Sequence, residues 1–320
     1  MDGHSAWVET IQLSTGLAAA EARQLRRHGN RLIRGVYSQD GADPAALTTR
    51  ARAVLAVSPA GSAVTGVTTF ALGGVDLPGG SKATVDQRIH VFVPHSGERG
   101  PRRAGVVAHR RAPHCAGLTH RQSGVSAASW SHSWVDAVRH LAREQSWAPW
   151  PNEPPGVRGR FESPAKRVLL EAVQLGDALI RRKGALTELS ALAACVAASN
   201  GPGSSLVRHA FELVRDRTDS FTETWTRLVV WDAGFPDPVV NHEVWLDSQE
   251  RFFLDLAWPD RKIALEYQGA DHFRSERQAF DDQVRRGILQ AHGWTVVQVA
   301  YRDLSDPHSL LRQLARAFGW

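Results

Sequence analysis

Apolar and polar positions change period along this chain, and the change divides it. Residues 252–257 and 262–268 are short, β-prone runs on either side of Trp258-Pro259-Asp260-Arg261, whose turn chemistry predicts an antiparallel hairpin. Around this hairpin the pattern predicts a helix over 222–233, a strand over 239–245, a helix over 276–291, a strand over 295–299 and a closing helix over 307–318. The order is αβββαβ plus one helix. Such an order makes a mixed sheet flanked by helices.

The front of the chain is less regular. Residues 16–37 predict an Ala-rich helix carrying Arg23, Arg26 and Arg27, broken at Gly29-Asn30 and followed by a short strand ending at Val36-Tyr37. Residues 48–57 read as an amphipathic helix, 64–72 as a buried helix or strand, and 89–94 and 105–109 as strands. The Arg/Gly-rich connection 98–103 reads as an exposed hairpin loop. Residues 133–144 predict a helix. The proline-rich stretch from Ala148 to Arg160 predicts a loop, with helical patterns resuming over 164–176, 187–199 and 206–216. The fold class is therefore mixed α+β, an α/β sheet domain behind a smaller front half. Expected boundaries are 1–50, 51–147 (small α+β), 148–204 (loop and helical connector) and 205–320.

A chain of 320 residues, 42% hydrophobic and 22% charged, has room for two or three cores. Its two cysteines, Cys115 and Cys195, lie far apart with no zinc spacing, which fits a reducing compartment. No apolar run approaches membrane-spanning length and the N-terminus lacks a signal-peptide pattern, so the expected location is cytoplasmic, with no membrane partner. Net charge is +5, but unevenly placed: residues 1–204 hold 24 Lys+Arg against 15 Asp+Glu, and the remainder 14 against 18. Attraction of an anionic partner such as DNA would then come mainly from the front of the chain, from a bound metal, or from a local basic patch that the sum conceals. No nucleotide-binding glycine loop and no Ser-His-Asp signature occurs there. His109, His114, His120, His132 and His140 are scattered, as packing or surface histidines usually are.

The hairpin carries the candidate chemistry. On the second strand Lys262, Ala264, Glu266 and Gln268 share a face, with Glu266 and Gln268 about 7 Å apart, and Asp255 joins them from the first strand. Carboxylates so placed offer hard oxygen ligands to a small divalent ion such as Mg²⁺. The alternative is a salt-bridged sheet face, with Arg261, Arg285 or Arg286 as partners. Trp225, Trp231, Trp245, Trp258 and Trp294 fall at apolar positions and read as core.

Asp255, the Glu266-Tyr267-Gln268-Gly269 run followed by His272, Thr222-Glu223-Thr224-Trp225 and Gly293-Trp294 before Thr295-Val296-Val297 resemble the PD-(D/E)XK nuclease superfamily. They resemble more closely its very-short-patch-repair-like domains, which end bacterial proteins of the AbiEi antitoxin type. The resemblance covers the last third of the chain and implies a restriction-endonuclease-like core over 205–320. It implies that Asp255 and Glu266 bind Mg²⁺ or Mn²⁺, and that Glu223 and His272 assist proton transfer or hold a phosphate. Gln268 stands where the superfamily usually has Lys; an amide can orient a water but cannot act as a base. Residues 16–37 resemble the end of the antitoxin winged helix, which implies DNA contacts from Arg26, Arg27, Arg31 and Arg34, with Arg285 on the later helix as a further phosphate contact. Two functions follow as expectations. One is a metal-dependent DNA endonuclease acting through Asp255, Glu266, Gln268, Glu223 and His272. The other is a non-catalytic DNA-binding regulator of the antitoxin type, with which a toxin partner would belong; homodimerisation is left open.

Overall fold

The computed structural model describes residues 11–38, 43–94, 99–110, 119–144, 153–246, 250–268 and 276–320. The chain divides into two compact units, Met1–Glu144 with Ser190–Arg208, and Gln145–Leu189 with His209–Trp320. Both mix helices with sheet, so the class is α+β.

In the N-terminal unit, β1 (Ile11–Leu13), α1 (Ala19–His28), β2 (Asn30–Ile33) and β3 (Val36–Ser38) form a helix followed by a small antiparallel sheet of order β1-β3-β2. Glu21 accepts from the Ala18 amide in the first turn of α1, and Arg26, Arg27 and His28 occupy its last turn, an arrangement that complements the helix dipole. The helix ends at Gly29, whose backbone turns extended, and a Cβ there would lie 2.8 Å from the Leu25 carbonyl oxygen and 3.2 Å from the Tyr37 Cβ, so glycine fits where a side chain would not.

The chain continues through α2 (Leu47–Leu55), β4 (Ala63–Val64), α3 (Gly66–Leu72), α4 (Gly79–Gln87), β5 (Ile89–Val93), β6 (Val106–Arg110), β7 (Thr119–Gln122), β8 (Val125–Ala128) and α5 (Trp130–Glu144). The five strands form one sheet of order β6-β5-β4-β8-β7. Its core is Ala51, Val54, Val64, Leu72, Ile89, Val91, Val125 and Ala127. The ambiguous stretch 64–72 resolves into the end of β4 and the buried helix α3. The expected hairpin between the next two strands does not form. β5 and β6 pair in parallel, with Ile89 opposite Val106 and Val93 opposite Arg110. A parallel neighbour must be reached by a crossover that carries the chain back to the other end of the strand, rather than by a tight turn.

Further along, α6 (Pro155–Arg160) and α7 (Pro164–Leu179) fall in the C-terminal unit. α8 (Leu189–Ala198) lies in the N-terminal unit but for its first residue, and α9 (Ser204–Leu213) is divided between the two. The stretch expected to be a loop thus contains α6. Pro155 starts that helix at a position where a missing N–H costs nothing. Gly156 then lets α6 approach the backbone at Leu304 and Ser305, where a Cβ would meet carbonyl oxygens at 2.5 and 2.7 Å.

The C-terminal unit continues with α10 (Phe221–Asp232), β9 (Val239–Leu246), β10 (Glu250–Trp258), β11 (Ile263–Gln268), α11 (Glu276–Ala291), β12 (Thr295–Ala300), α12 (Tyr301–Ser305) and α13 (Pro307–Phe318). The sheet order is β12-β11-β10-β9; β9, β10 and β11 run antiparallel in succession, and β12 lies parallel to β11 across the α11 connection. The order read from the pattern is present, with the short α12 added. A 3₁₀ turn, Pro259–Arg261, closes the hairpin.

Two local expectations need correction. Lys262 ends the turn in the left-handed region, φ 50°, and its Nζ donates to the His292 carbonyl at 3.0 Å, so it does not share the strand face of Glu266. Trp245 is not core. It is 60% exposed on the edge strand β9, with the Arg251 guanidinium 5.8 Å from its ring centroid, because alternate residues of an edge strand face outward. Trp225, Trp258 and Trp294 are buried.

Candidate carboxylate centre

The hairpin register sets the centre. Leu256 pairs with Leu265, Ala257 with Ala264 and Trp258 with Ile263, so Asp255 and Glu266 are the residues that follow the paired register on β10 and β11. Asp255 Oδ2 accepts from the Tyr267 amide at 2.8 Å. Burial pushes the Asp255 carboxyl above its ordinary range, and neighbouring Asp219 adds to the rise, while that amide, Arg285 and Arg182 oppose it.

Glu266 is held from α11. Arg285 reaches it in a fork, Nη1 donating to Oε2 at 3.2 Å and Nη2 lying 2.8 Å from Oε1, and Nη2 also donates to the Phe253 carbonyl. The Glu266 side chain keeps only 14% of its exposure. This is the salt-bridged face that the pattern allowed as the alternative, with Arg285 as the partner. A hydrogen bond to an ionised carboxylate is strengthened by the charge on both partners.

A second group of charges stands on the α10 side. Ser220 caps α10 by accepting from the Glu223 amide at 3.2 Å, and the Glu223 carboxyl returns to accept from the Asp219 amide at 2.9 Å and the Ser220 hydroxyl at 3.1 Å. Burial, with the nearby Asp255 charge, raises the Glu223 carboxyl to about 7. Arg182 donates through Nε to Asp219 Oδ2 at 3.0 Å and again through Nη2. Its guanidinium also lies 5.7 Å from the centroid of the Phe253 ring. Neither Asp219 nor Arg182 is signalled by any motif, because each reaches the centre from a loop or a helix end far from the hairpin in sequence.

Of the residues expected at the site, Asp255 follows the β10–β11 register beside Glu266, and its charge acts on Glu223. Gln268 is half-buried at the end of β11, opposite Ala300. His272 lies outside the described residues. Arg285 belongs to the centre through Glu266. Arg26, Arg27, Arg31 and Arg34 lie in the N-terminal unit, all exposed.

A divalent cation would need several oxygen donors left free for it. Oxygen-only carboxylates have the right chemistry. As placed they do not fit: both Glu266 oxygens face Arg285, one Asp255 oxygen takes an amide, and among the described residues no three His, Cys, Asp or Glu groups converge to hold a metal ion.

The scattered histidines hold a second arrangement. His132, Asp136 and His140 share one face of α5, spaced by four, and are buried with His90 of β5 and His109 of β6. His109 Nε2 lies 3.0 Å from His90 Nδ1, and Asp136 Oδ2 accepts from the Thr65 hydroxyl at 2.8 Å and lies 3.4 Å from His132 Nε2. The spacing of four within 130–144 was the available signal. His120 is half-buried, and His114 lies outside the described residues.

No family model matches the chain. It is 30% identical over 115 residues to uncharacterized proteins of two Mycobacterium tuberculosis strains, MT2308 of strain CDC 1551 / Oshkosh and Rv2248 of strain H37Rv. The match takes in 36% of this chain and 42% of each relative, so the chain spans less than half the length of the curated relatives it matches. No helix among the described residues is long and apolar enough to cross a membrane.

Proposed function

We propose that this protein is a non-catalytic DNA-binding regulator of the antitoxin type, which grips the duplex through the arginine face of α1 and β2. In this reading the C-terminal unit is a PD-(D/E)XK-like scaffold. The observation that carries it is charge: Arg23, Arg26, Arg27, Arg31 and Arg34 are exposed, and none pairs with a carboxylate among the described residues. Guanidiniums left to solvent on a helix and the adjoining strand can neutralise backbone phosphates. The N-terminal unit as a whole holds 18 Lys+Arg against 10 Asp+Glu. A cognate toxin is the partner this reading implies.

Anisotropy of a labelled duplex over a salt series tests it. Binding is expected to be unchanged by chelator, and Arg26→Ala/Arg27→Ala/Arg31→Ala is expected to flatten the slope of log K against log salt by roughly 3. An unchanged slope in that variant removes α1 and β2 as the contact face.

The second reading is the Mg²⁺- or Mn²⁺-dependent endonuclease. It is favoured by Asp255 and Glu266 on the paired strands β10 and β11 and by Glu223, whose carboxyl at about 7 is poised to exchange a proton near neutrality. Nicking of supercoiled plasmid that needs divalent metal and disappears in Glu266→Ala would replace the first reading with this one.

A further inference from the structure

We infer that the carboxylate centre of the C-terminal unit is a cation site filled by the protein's own Arg285. Asp255 and Glu266 follow directly on the paired register of neighbouring strands, and carboxylates held this near repel unless positive charge lies against them. A guanidinium supplies that charge, contacting both Glu266 oxygens at 2.8 and 3.2 Å.

Three features make Arg285 a resident group rather than a passing surface contact. It gives Glu266 one hydrogen bond, Nη1 to Oε2, and one ion-pair contact, Nη2 to Oε1. Its Nη2 is also bonded to the Phe253 carbonyl of β10, which ties α11 to the strand that carries Asp255. The Phe252 ring lies 5.8 Å from its guanidinium carbon, adding an aromatic face to the carboxylate and the carbonyl. On the other flank Arg182 holds Asp219 through one carboxylate oxygen, Oδ2. Each guanidinium thus fixes one carboxylate of the cluster, and a divalent ion at Glu266 would have to expel Arg285 from three partners at once. The inference stands independently of DNA binding by the N-terminal unit.

Free Mn²⁺ measured by electron paramagnetic resonance on the full-length protein tests it. The wild type is expected to leave the Mn²⁺ signal undiminished at millimolar metal. Arg285→Gln is expected to bind one Mn²⁺ at least tenfold more tightly, and Arg285→Gln/Glu266→Gln to lose that gain. Saturable Mn²⁺ binding by the wild type that vanishes in Glu266→Gln would overturn the inference and advance the nuclease reading. No gain in a folded Arg285→Gln would overturn it as well, while leaving DNA binding by the front unit untouched. Because Arg285→Gln can fail to fold, urea unfolding of the wild type with and without Mn²⁺ gives a second measurement. An unmoved midpoint agrees with the inference; an upward shift that Glu266→Gln removes contradicts it.

Discussion

Glu223 shows how one residue can serve a cap and a site together. At the third position of α10 it completes a reciprocal cap with Ser220, and the same placement leaves its carboxyl buried near Asp255. Its pKa, raised in the folded chain from 4.5 to about 7, means that the folded state binds the proton more tightly than the unfolded state. Stability from this group is therefore greatest below the unfolded value and falls as pH rises through the folded one. Glu223→Gln keeps an acceptor for the Asp219 amide and removes the charge. It is expected to be stabilising by on the order of 1–2 kcal/mol at pH 8, after allowance for solvent screening, and close to neutral at pH 4. Urea unfolding at the two pH values checks this. Equal effects at both would mean that Glu223 is not titrating between them.

At the scale of elements, α10 is anchored by a charge buried more deeply than any in the candidate centre. Arg227 is fully buried; its Nη2 donates to Asp177 Oδ2 of α7 at 2.7 Å and its Nη1 to the Leu213 carbonyl at 2.6 Å. Asp177 also accepts from the Thr224 hydroxyl and the Arg215 amide, both at 2.8 Å. Burial raises the Asp177 carboxyl, with Arg227 chief among the groups that oppose the rise. Removing one partner leaves the other charge buried and uncompensated, so Asp177→Ala is expected to cost about 3–5 kcal/mol in chemical unfolding. Replacing the pair by Asp177→Leu/Arg227→Met is expected to recover much of that loss. These elements were legible in the sequence because their apolar periods are long and their caps local, as with Ser220 before α10. β6 was misjudged for the opposite reason: a short apolar run reveals a strand but not its neighbour, and pairing direction depends on the path of the connection.

The whole molecule is two units of opposite charge, with 18 Lys+Arg against 10 Asp+Glu in the first and 20 against 23 in the second. They should also differ in their response to acid. Burial lowers His90, His109 and His140 below the ordinary imidazole value, His140 to about 4, while the Asp136 carboxyl is also held low by His109, His132 and Thr65. Histidines that resist protonation when folded leave stability intact above pH 6.5. Below it the unfolded chain takes up protons that the folded unit refuses, and each such group removes up to about 1.4 kcal/mol per pH unit. Asp136, with its depressed carboxyl, adds a further loss below its unfolded value of 3.8. Hydrogen exchange between pH 7 and 5 is expected to show protection falling first in β5, β6 and α5. Loss that begins instead in the β9–β12 sheet would contradict the assignment.

From its sequence alone this chain declares its α+β class and the αβββαβ order of its last third. Those depend on period, cap and turn chemistry, which act over a few residues. Only the tertiary structure decided that Arg285 lies on Glu266, that Arg182 and Asp219 join the centre, and that four histidines gather around Asp136. Each depends on which face of a helix or strand meets which neighbour. Contacts between elements far apart in sequence are set by packing and by the cost of leaving a buried charge unpaired, and no local pattern records them.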